Sequence, residues 1–147
     1  MKSIIVDLDG TLCDSAHRDH LAMAGLWDEF HSGLTDDKVH KDVAEVIAIM
    51  SDAGYLIIGL TGRNEKFRYK TLGWLGLNKI SLDHLIMRPD NNYQSDHTLK
   101  PRMLADQFGS QESALQNVLM ILEDRDKVVE AWRNLGYRCW QVQPGGY

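Results

Sequence analysis

Residues 4–14 have the sequence IIVDLDGTLCD, in which three β-forming residues run directly into a pair of aspartates. Side chains at positions i and i+2 of a strand lie on the same face, so we expect Asp7 and Asp9 together at the end of a buried strand. Two carboxylates on one face repel each other unless a cation or a reaction requires both. The stretch therefore predicts a first strand that ends in a functional site.

The composition limits the classes of protein to consider. The 147 residues, 44% hydrophobic and 25% charged, predict a single domain over residues 1–147 that is large enough to bury a core. Two cysteines, Cys13 and Cys139, do not make a disulfide framework, which favours a cytoplasmic location. The net charge of −5 argues against broad binding along a nucleic-acid backbone. No apolar run approaches the roughly 20 residues that cross a membrane, so we expect no membrane contact.

Strand and helix patterns alternate along the chain. Near-continuous apolar runs, typical of parallel strands covered on both faces, occur at residues 3–9, 55–62, 84–89, 117–124 and 138–143. Helical patterns occur at residues 36–54, 64–77, 99–109 and 125–136, with Pro101 placed in a first turn. This alternation predicts an α/β fold, a three-layer, doubly wound parallel sheet.

Residues 13–36 do not fit the alternation. A connection from a strand to a helix normally takes two to six residues, so we interpret this longer segment as a functional insert. Within it, residues 17–31 have the pattern of one additional helix. We expect a small helical cap over the carboxyl ends of the strands.

Ligands of open α/β sheets bind outside the carboxyl ends of the strands, where several polar residues of this chain are expected to converge. The expected set contains four carboxylates, two hydroxyls and three cations. Such a mixture suits a hard divalent cation together with a phosphate group. Its members are Asp7, Asp9 and Thr11; Thr61, Gly62 and Arg63; Lys100; and Glu123, Asp124 and Arg125.

Four features of the sequence resemble the four motifs of the haloacid-dehalogenase-like (HAD) phosphatases. They are DLDGT (7–11), LTGR (60–63), Lys100 and LEDR (122–125). Residues 121–147, with Arg18 and Asp96, further resemble the 3′-phosphatase domain of phage polynucleotide kinase–phosphatase. The resemblance implies a HAD-like, Rossmannoid fold and suggests a phage or bacterial source. The P-loop motif of the kinase half of such bifunctional relatives is not present in this sequence.

The resemblance implies a role for each residue of the set. Asp7 would be the nucleophile that forms an aspartyl-phosphate, and Asp9 the general acid and base, which requires a pKa raised by roughly 3 units. Mg²⁺ would lie between the Asp7 carboxylate, the Asp9 carbonyl and Asp124, with Glu123 behind them or in place of Asp124. Thr61, Gly62 and Lys100 would bind the phosphate. Arg18 and Arg63 would grip the substrate phosphate or hold the cap over it. Asp96 would orient Lys100 or Arg63, and Arg125 would support the site.

The sequence thus predicts a magnesium-dependent phosphomonoesterase. The resemblance favours a 3′-phosphate on a nucleic-acid end or nucleotide as substrate. One alternative is a phosphatase for free nucleoside monophosphates or other small phosphomonoesters, and another is a non-catalytic, phosphate-binding regulatory module. We expect no stable protein partner.

Overall fold

The computed structural model describes residues 1–146, so Tyr147, the last residue of the predicted domain, lies outside the described residues. The strands are β1 (Ser3–Val6), β2 (Cys13–Asp14), β3 (Lys38–Val39), β4 (Leu56–Asn64), β5 (His84–Arg88), β6 (Val118–Arg125) and β7 (Cys139–Gly145). The helices are α1 (Asp19–Met23), α2 (Trp27–Ser32), α3 (Lys41–Asp52), α4 (Arg68–Leu77), α5 (Asp96–Phe108), α6 (Gln111–Asn117) and α7 (Asp126–Asn134).

Five parallel strands form the central sheet in the order β5-β4-β1-β6-β7. All five correspond to the predicted apolar runs, so the predicted doubly wound α/β fold is confirmed. β1 lies in the middle, between β4 and β6, and its carboxyl end is therefore flanked by the carboxyl ends of both neighbours. This position brings three of the predicted motifs to one edge of the sheet.

Alternate residues of β1 enter the two halves of the core. Ile4 packs in a cluster with Ile47 of α3 and Trp74 of α4, whereas Ile5 packs in a cluster with Leu104 of α5 and Trp132 of α7. Helices therefore cover both faces of the sheet, which makes three layers. None of the helices in the described part of the chain has the length and apolar character that crossing a membrane requires.

The insert after β1 differs from the single helix predicted for residues 17–31. Two short helices, α1 and α2, are present instead, and Gly25 lies between them at φ +75°. Glycine adopts this left-handed conformation without the steric cost of a Cβ atom, so it turns the chain where the apolar pattern alone indicated continuity. β2 and β3 pair antiparallel at the base of the insert, so the cap enters and leaves the domain through a short ribbon.

Three helices begin several residues away from the predicted position. One of them is α4, which begins at Arg68 instead of residue 64. α3 begins at Lys41 instead of residue 36, because Val39 pairs with Cys13 in the ribbon. α5 begins at Asp96, so Pro101 lies in its second turn instead of its first. The segment 111–117 forms α6, for which the sequence analysis predicted no helix.

The tryptophans Trp132 and Trp140 allow a direct test of the core. Trp132 is fully buried, whereas Trp140 on β7 is 57% exposed. We expect Trp132→Ala to lower the free energy of unfolding by about 3–5 kcal/mol, because it removes a large buried ring and leaves a cavity. Trp140→Ala, the matched control, should lower the free energy of unfolding by about 1 kcal/mol or less. Urea unfolding measures both, and equal losses would contradict this assignment of the core.

Candidate active site

A tight loop after β1 presents the two aspartates. The backbone N–H groups of Thr11, Leu12 and Cys13 all donate to the carbonyl of Leu8, at 3.1, 2.9 and 2.9 Å. Leu8 itself is fully buried in the core. The loop therefore turns sharply around Leu8 and leaves Asp7 and Asp9 on either side of it, both lining one cleft of about 470 Å³.

Asp7 lies in a buried cluster with Lys100 and Glu123. The ammonium of Lys100 donates to Oδ1 of Asp7 at 2.7 Å and to Oε2 of Glu123 at 2.8 Å. Burial and the nearby Glu123 carboxylate raise the pKa of Asp7 to about 7, although Lys100 acts in the opposite direction. Burial lowers the pKa of Lys100, but the surrounding carboxylates outweigh it and raise the pKa above its ordinary value. Lys100 is therefore a permanent cation beside the carboxylate of Asp7.

Asp124 completes a group of three acids. The hydroxyl of Thr11 lies 2.9 Å from Oδ2 of Asp7 and 3.2 Å from Oδ1 of Asp124. Asp7, Glu123 and Asp124 are all buried, and each offers an oxygen within 4.8 Å of the others. Buried carboxylates that lie this close together repel one another, and carboxylate oxygens are the ligands that hard divalent cations prefer. The residues present therefore fit a divalent metal ion.

The two acids of the LEDR motif differ in the atoms that they leave for a metal. Oε2 of Glu123 accepts from Lys100, while Oε1 lies 3.1 Å from the backbone nitrogen of Asp124 and 3.4 Å from that of Arg125. Both oxygens of Glu123 are thus engaged. Which of the two acids contacts a metal directly stays a prediction.

Asp9 is surrounded by guanidinium groups. Arg63 donates from Nη2 to Oδ1 of Asp9 at 2.7 Å and from Nε to Oδ2 at 3.1 Å, and Arg18 donates to Oδ1 as well. Burial alone would raise the pKa of Asp9, but Arg63 and Arg18 outweigh it and hold that pKa well below its ordinary range. The raised pKa that the acid role requires is therefore not a property of Asp9 in this arrangement, because two cations stabilise its ionised form.

Arg18 links the cap to the rest of the domain. Its Nε donates to Oδ1 of Asp37 at 2.8 Å, and its Nη1 donates to the carbonyl of Phe30 in α2 at 2.8 Å. The guanidinium also lies 4.2 Å from the centre of the Phe30 ring. The indole of Trp74 in α4 donates to the carbonyl of Asp37 at 2.9 Å. Of the two predicted grips, on phosphate or on the cap, these contacts correspond to the second.

Arg63 is similarly enclosed. It is fully buried, and its Nη1 donates to the hydroxyl of Thr71 at 3.1 Å. Its Nη2 also lies 3.4 Å from the sulfur of Cys13, whose thiol pKa is raised by burial. Thr61 is buried too, and its hydroxyl accepts the backbone N–H of Arg63 at 3.1 Å. Of the predicted phosphate-binding segment 61–63, Gly62 is the residue that lines the cleft.

Asp96 lies beside two arginines that line the cleft. Its Oδ1 accepts from Arg88, and its Oδ2 accepts from Nη1 of Arg125 at 2.8 Å. The role assigned to Asp96 from the sequence, the orientation of Lys100 or Arg63, stays a prediction. A Cβ atom on Gly62 would lie 2.3 Å from Oδ1 of Asp96, so only glycine permits this close approach.

Three residues of the site were not identified from the sequence. Asp37 and Arg88 hold Arg18 and Asp96 in place. His31 of α2 lines the cleft, with its buried Nδ1 3.8 Å from Oδ2 of Asp9 and without a hydrogen-bond partner. Burial lowers the pKa of His31 to about 4, so the ring is neutral at pH 7. Single polar residues carry no periodic signal, although Arg88 stands near the end of the apolar run at residues 84–89.

The family follows from comparison over the whole chain. The family model for the polynucleotide kinase PNKP phosphatase domain matches residues 1–147. The chain belongs to this family. The predicted assignment to the HAD-like phosphatases is therefore confirmed.

Solved structures agree with the family. A chain from the structure of the Pnkp1/Rnl/Hen1 RNA repair complex is similar to this PNKP-type domain with a TM-score of 0.84 and 32% identity, covering 99% of this chain and 43% of that one. A second structure of the Pnkp1/Rnl/Hen1 complex gives 0.83 and 31%, with coverages of 99% and 47%. The chain thus spans less than half the length of these relatives. A HAD phosphatase from Thermococcus onnurineus, at 14% identity and a TM-score of 0.65, shares the fold over 100% of this chain and 88% of that one.

The contact between Arg18 and Asp37 can be tested by substitution. We expect Asp37→Ala to lower the free energy of unfolding by about 3–5 kcal/mol, because it removes one partner of a buried ion pair. Asp36→Ala is the matched control, since its neighbouring carboxylate is exposed and its loss should change stability by about 0.5 kcal/mol or less. Urea unfolding distinguishes the two variants. An unchanged free energy of unfolding in Asp37→Ala would show that the cap does not depend on this contact.

Proposed function

We propose that this domain hydrolyses phosphomonoesters through an aspartyl-phosphate on Asp7. The observation that carries the proposal is the position of the Asp7 carboxylate, which lines the cleft while Lys100 donates to one oxygen and Thr11 lies beside the other. An Asp7 oxygen would form a bond to phosphorus while the bond between phosphorus and the ester oxygen breaks. Lys100 lies where it offsets negative charge on the oxygens of the transferring phosphoryl group.

Asp9 is the residue proposed to supply the proton that the leaving oxygen needs, and then to accept one from the attacking water. Its contacts with Arg18 and Arg63 oppose that role as they stand. A phosphate dianion would compete for the same guanidinium groups, since charge-assisted contacts of arginine suit phosphate and carboxylate oxygens alike. We infer that substrate binding weakens the two contacts to Asp9 and raises its pKa by replacing cations with a neighbouring anion.

Asp7, Asp124 and the backbone carbonyl of Asp9 would hold Mg²⁺. When bound, this ion would act as a Lewis acid that neutralises charge on the phosphoryl oxygens. The supporting observation is the group of three buried carboxylates, Asp7, Glu123 and Asp124, each with an oxygen within 4.8 Å of the others. Since burial and Glu123 raise the pKa of Asp7, a cation there would also favour the ionised form that a nucleophile requires.

We propose a 3′-phosphate on a nucleic-acid end or nucleotide as the substrate. The family and the likeness to a chain of an RNA repair complex support this choice. The alternative, a phosphatase for free nucleoside monophosphates or other small esters, is favoured by the net charge of −5. A non-catalytic regulatory module would be expected to lack Asp7, Asp9 or Asp124, and this chain has all three.

Phosphate release with matched substrates decides between these functions. The substrates are a 3′-phosphorylated oligonucleotide, its 5′-phosphorylated counterpart, the 3′- and 5′-mononucleotides and an aryl phosphate, each with Mg²⁺ at low and moderate salt. We expect a strong preference for the 3′-phosphorylated oligonucleotide that weakens with salt. Equal or faster turnover of mononucleotides, with little effect of salt, would assign the domain to nucleotide metabolism.

Asp7→Asn separates the proposed chemistry from folding. We expect this variant to abolish phosphate release and, in chelator at pH 8, to unfold at a higher temperature than the wild type. Because the pKa of Asp7 rises from 3.8 to about 7 on folding, the native protein loses stability as pH increases between these values, and the amide removes that loss. Circular dichroism monitors unfolding.

The control for this substitution is Asp52→Asn, at the exposed end of α3, which should change neither property. Substantial turnover by Asp7→Asn would eliminate Asp7 as the nucleophile.

Metal binding can be measured without turnover. Adding Mg²⁺ should raise the unfolding temperature of the wild type, since a ligand at 100 times its Kd contributes about 2.7 kcal/mol to the native state. Asp124→Asn should reduce this increase, whereas Asp52→Asn should retain it. A chelator should also stop phosphate release, and full activity in its presence would disprove the metal-dependent mechanism.

A further inference from the structure

Tyr93 is an exposed aromatic residue at the cleft that contains Asp7 and Asp9. Its side chain is 91% exposed, so burial in the core does not account for an aromatic residue at this position. An exposed aromatic ring that lines a cleft presents a flat apolar face to whatever enters the cleft. Tyr93 is therefore a candidate contact for the substrate.

The loop that carries Tyr93 is held in one conformation. Nη1 of Arg88 donates to the carbonyl of Gln94 at 2.6 Å and lies 3.3 Å from the carbonyl of Asn92. The side chain of Asn92 accepts the backbone N–H of Gln94 at 3.0 Å, which closes a turn around Tyr93. Nε of Arg88 donates to the carbonyl of Gly62 at 2.8 Å, so the turn is attached to the floor of the cleft. An aromatic ring on a fixed turn loses little conformational entropy when it binds.

Trp27 of the cap lines the same cleft. Its ring meets that of Phe30 edge to face, with centroids 5.7 Å apart, and the guanidinium carbon of Arg125 lies 6.0 Å from its centre. These contacts orient the indole, yet Trp27 is still 43% exposed. The cleft thus has an aromatic side chain on the cap and another on the loop after β5.

The position of Asp7 determines where the leaving group of a substrate lies. When phosphorus is beside Asp7, the rest of the ester must extend into the cleft that Asp7 and Asp9 line. The cleft volume of about 470 Å³ lies within the range of pockets for small ligands, roughly 300–1,000 Å³. This space suits one nucleoside, whose flat base has two faces for stacking.

We propose that Trp27 and Tyr93 stack on the base of the terminal nucleotide that carries the phosphate, and so select nucleosides over other leaving groups. This inference rests on the proposed function, because it concerns the same site and reaction. Stacking on aromatic side chains tolerates any base, since every base has a π-face. The two residues act on specificity for the leaving group, while the reacting atoms remain with Asp7, Asp9 and Lys100.

The test compares two substrates that differ by the base alone. One is a 3′-phosphorylated dinucleotide, and the other is the same molecule with an abasic sugar at the phosphorylated end. For Tyr93→Ala we expect kcat/KM to fall about 5- to 150-fold on the first substrate, mainly through KM, and to change little on the second. Tyr93→Phe should restore the value, because stacking does not need the hydroxyl.

Tyr69→Ala is the matched control. Tyr69 is 89% exposed on α4 and does not belong to the cleft lining, so its removal should leave both substrates unaffected. Trp27→Leu should have the same base-dependent effect as Tyr93→Ala. Because Trp27 also packs on Phe30, its variant is first compared with the wild type by thermal unfolding, and Tyr93→Ala decides the matter if Trp27→Leu fails to fold.

Each outcome has a distinct meaning. Equal losses on the two substrates, or no loss in Tyr93→Ala, would overturn the stacking role while leaving the phosphatase intact. A wild type that hydrolyses the aryl phosphate but neither nucleotide substrate would overturn this inference together with the proposed nucleotide substrate. A wild type that hydrolyses none of these esters would overturn the proposed phosphatase function, and the inference that rests on it.

Discussion

Arg18 comes from the cap and Arg63 from the end of β4, and both donate to the carboxylate of Asp9. Asp37, at the return of the cap to the domain, accepts from Arg18 in turn. A buried charge is tolerated only when its partners are present, so each of these four residues requires the others. The position of the cap, the end of the central sheet and the orientation of Asp9 consequently depend on one set of ion pairs.

Two buried clusters of charged residues lie side by side in this domain, and their composition differs. Asp9 and Asp37 contact Arg18 and Arg63, so two acids meet two guanidinium groups. Asp7, Glu123 and Asp124 bring three carboxylates together, and the ammonium of Lys100 forms ion pairs with Asp7 and Glu123. Paired charges suit a structural connection, whereas carboxylates that lie close together attract a divalent cation and raise one another's pKa. The carboxylate-rich cluster lies where the proposed chemistry takes place.

The sequence predicted the elements that carry a periodic or continuous pattern. Five apolar runs became the five strands of the sheet, and the residues at their carboxyl ends converge because parallel strands end at one edge. The cap was predicted as one helix because its apolar spacing continues across Gly25, whose backbone conformation interrupts it. The contact between Asp96 and Arg88 was not predicted, because the fold of the chain after β5 brings these two residues together and no motif specifies it. The low pKa of Asp9 likewise depends on distances to Arg18 and Arg63 that no motif specifies.

The ribbon at the base of the cap encloses a thiol. Cys13 lies on β2, fully buried, with its sulfur 3.4 Å from Nη2 of Arg63. Since burial raises the thiol pKa and keeps reagents out, Cys13 resists alkylation as long as the ribbon is paired. Its rate of labelling therefore follows the opening of β2 from β3. The rate at which Cys13 is alkylated, measured by mass spectrometry, thus reports cap movement without any engineered label.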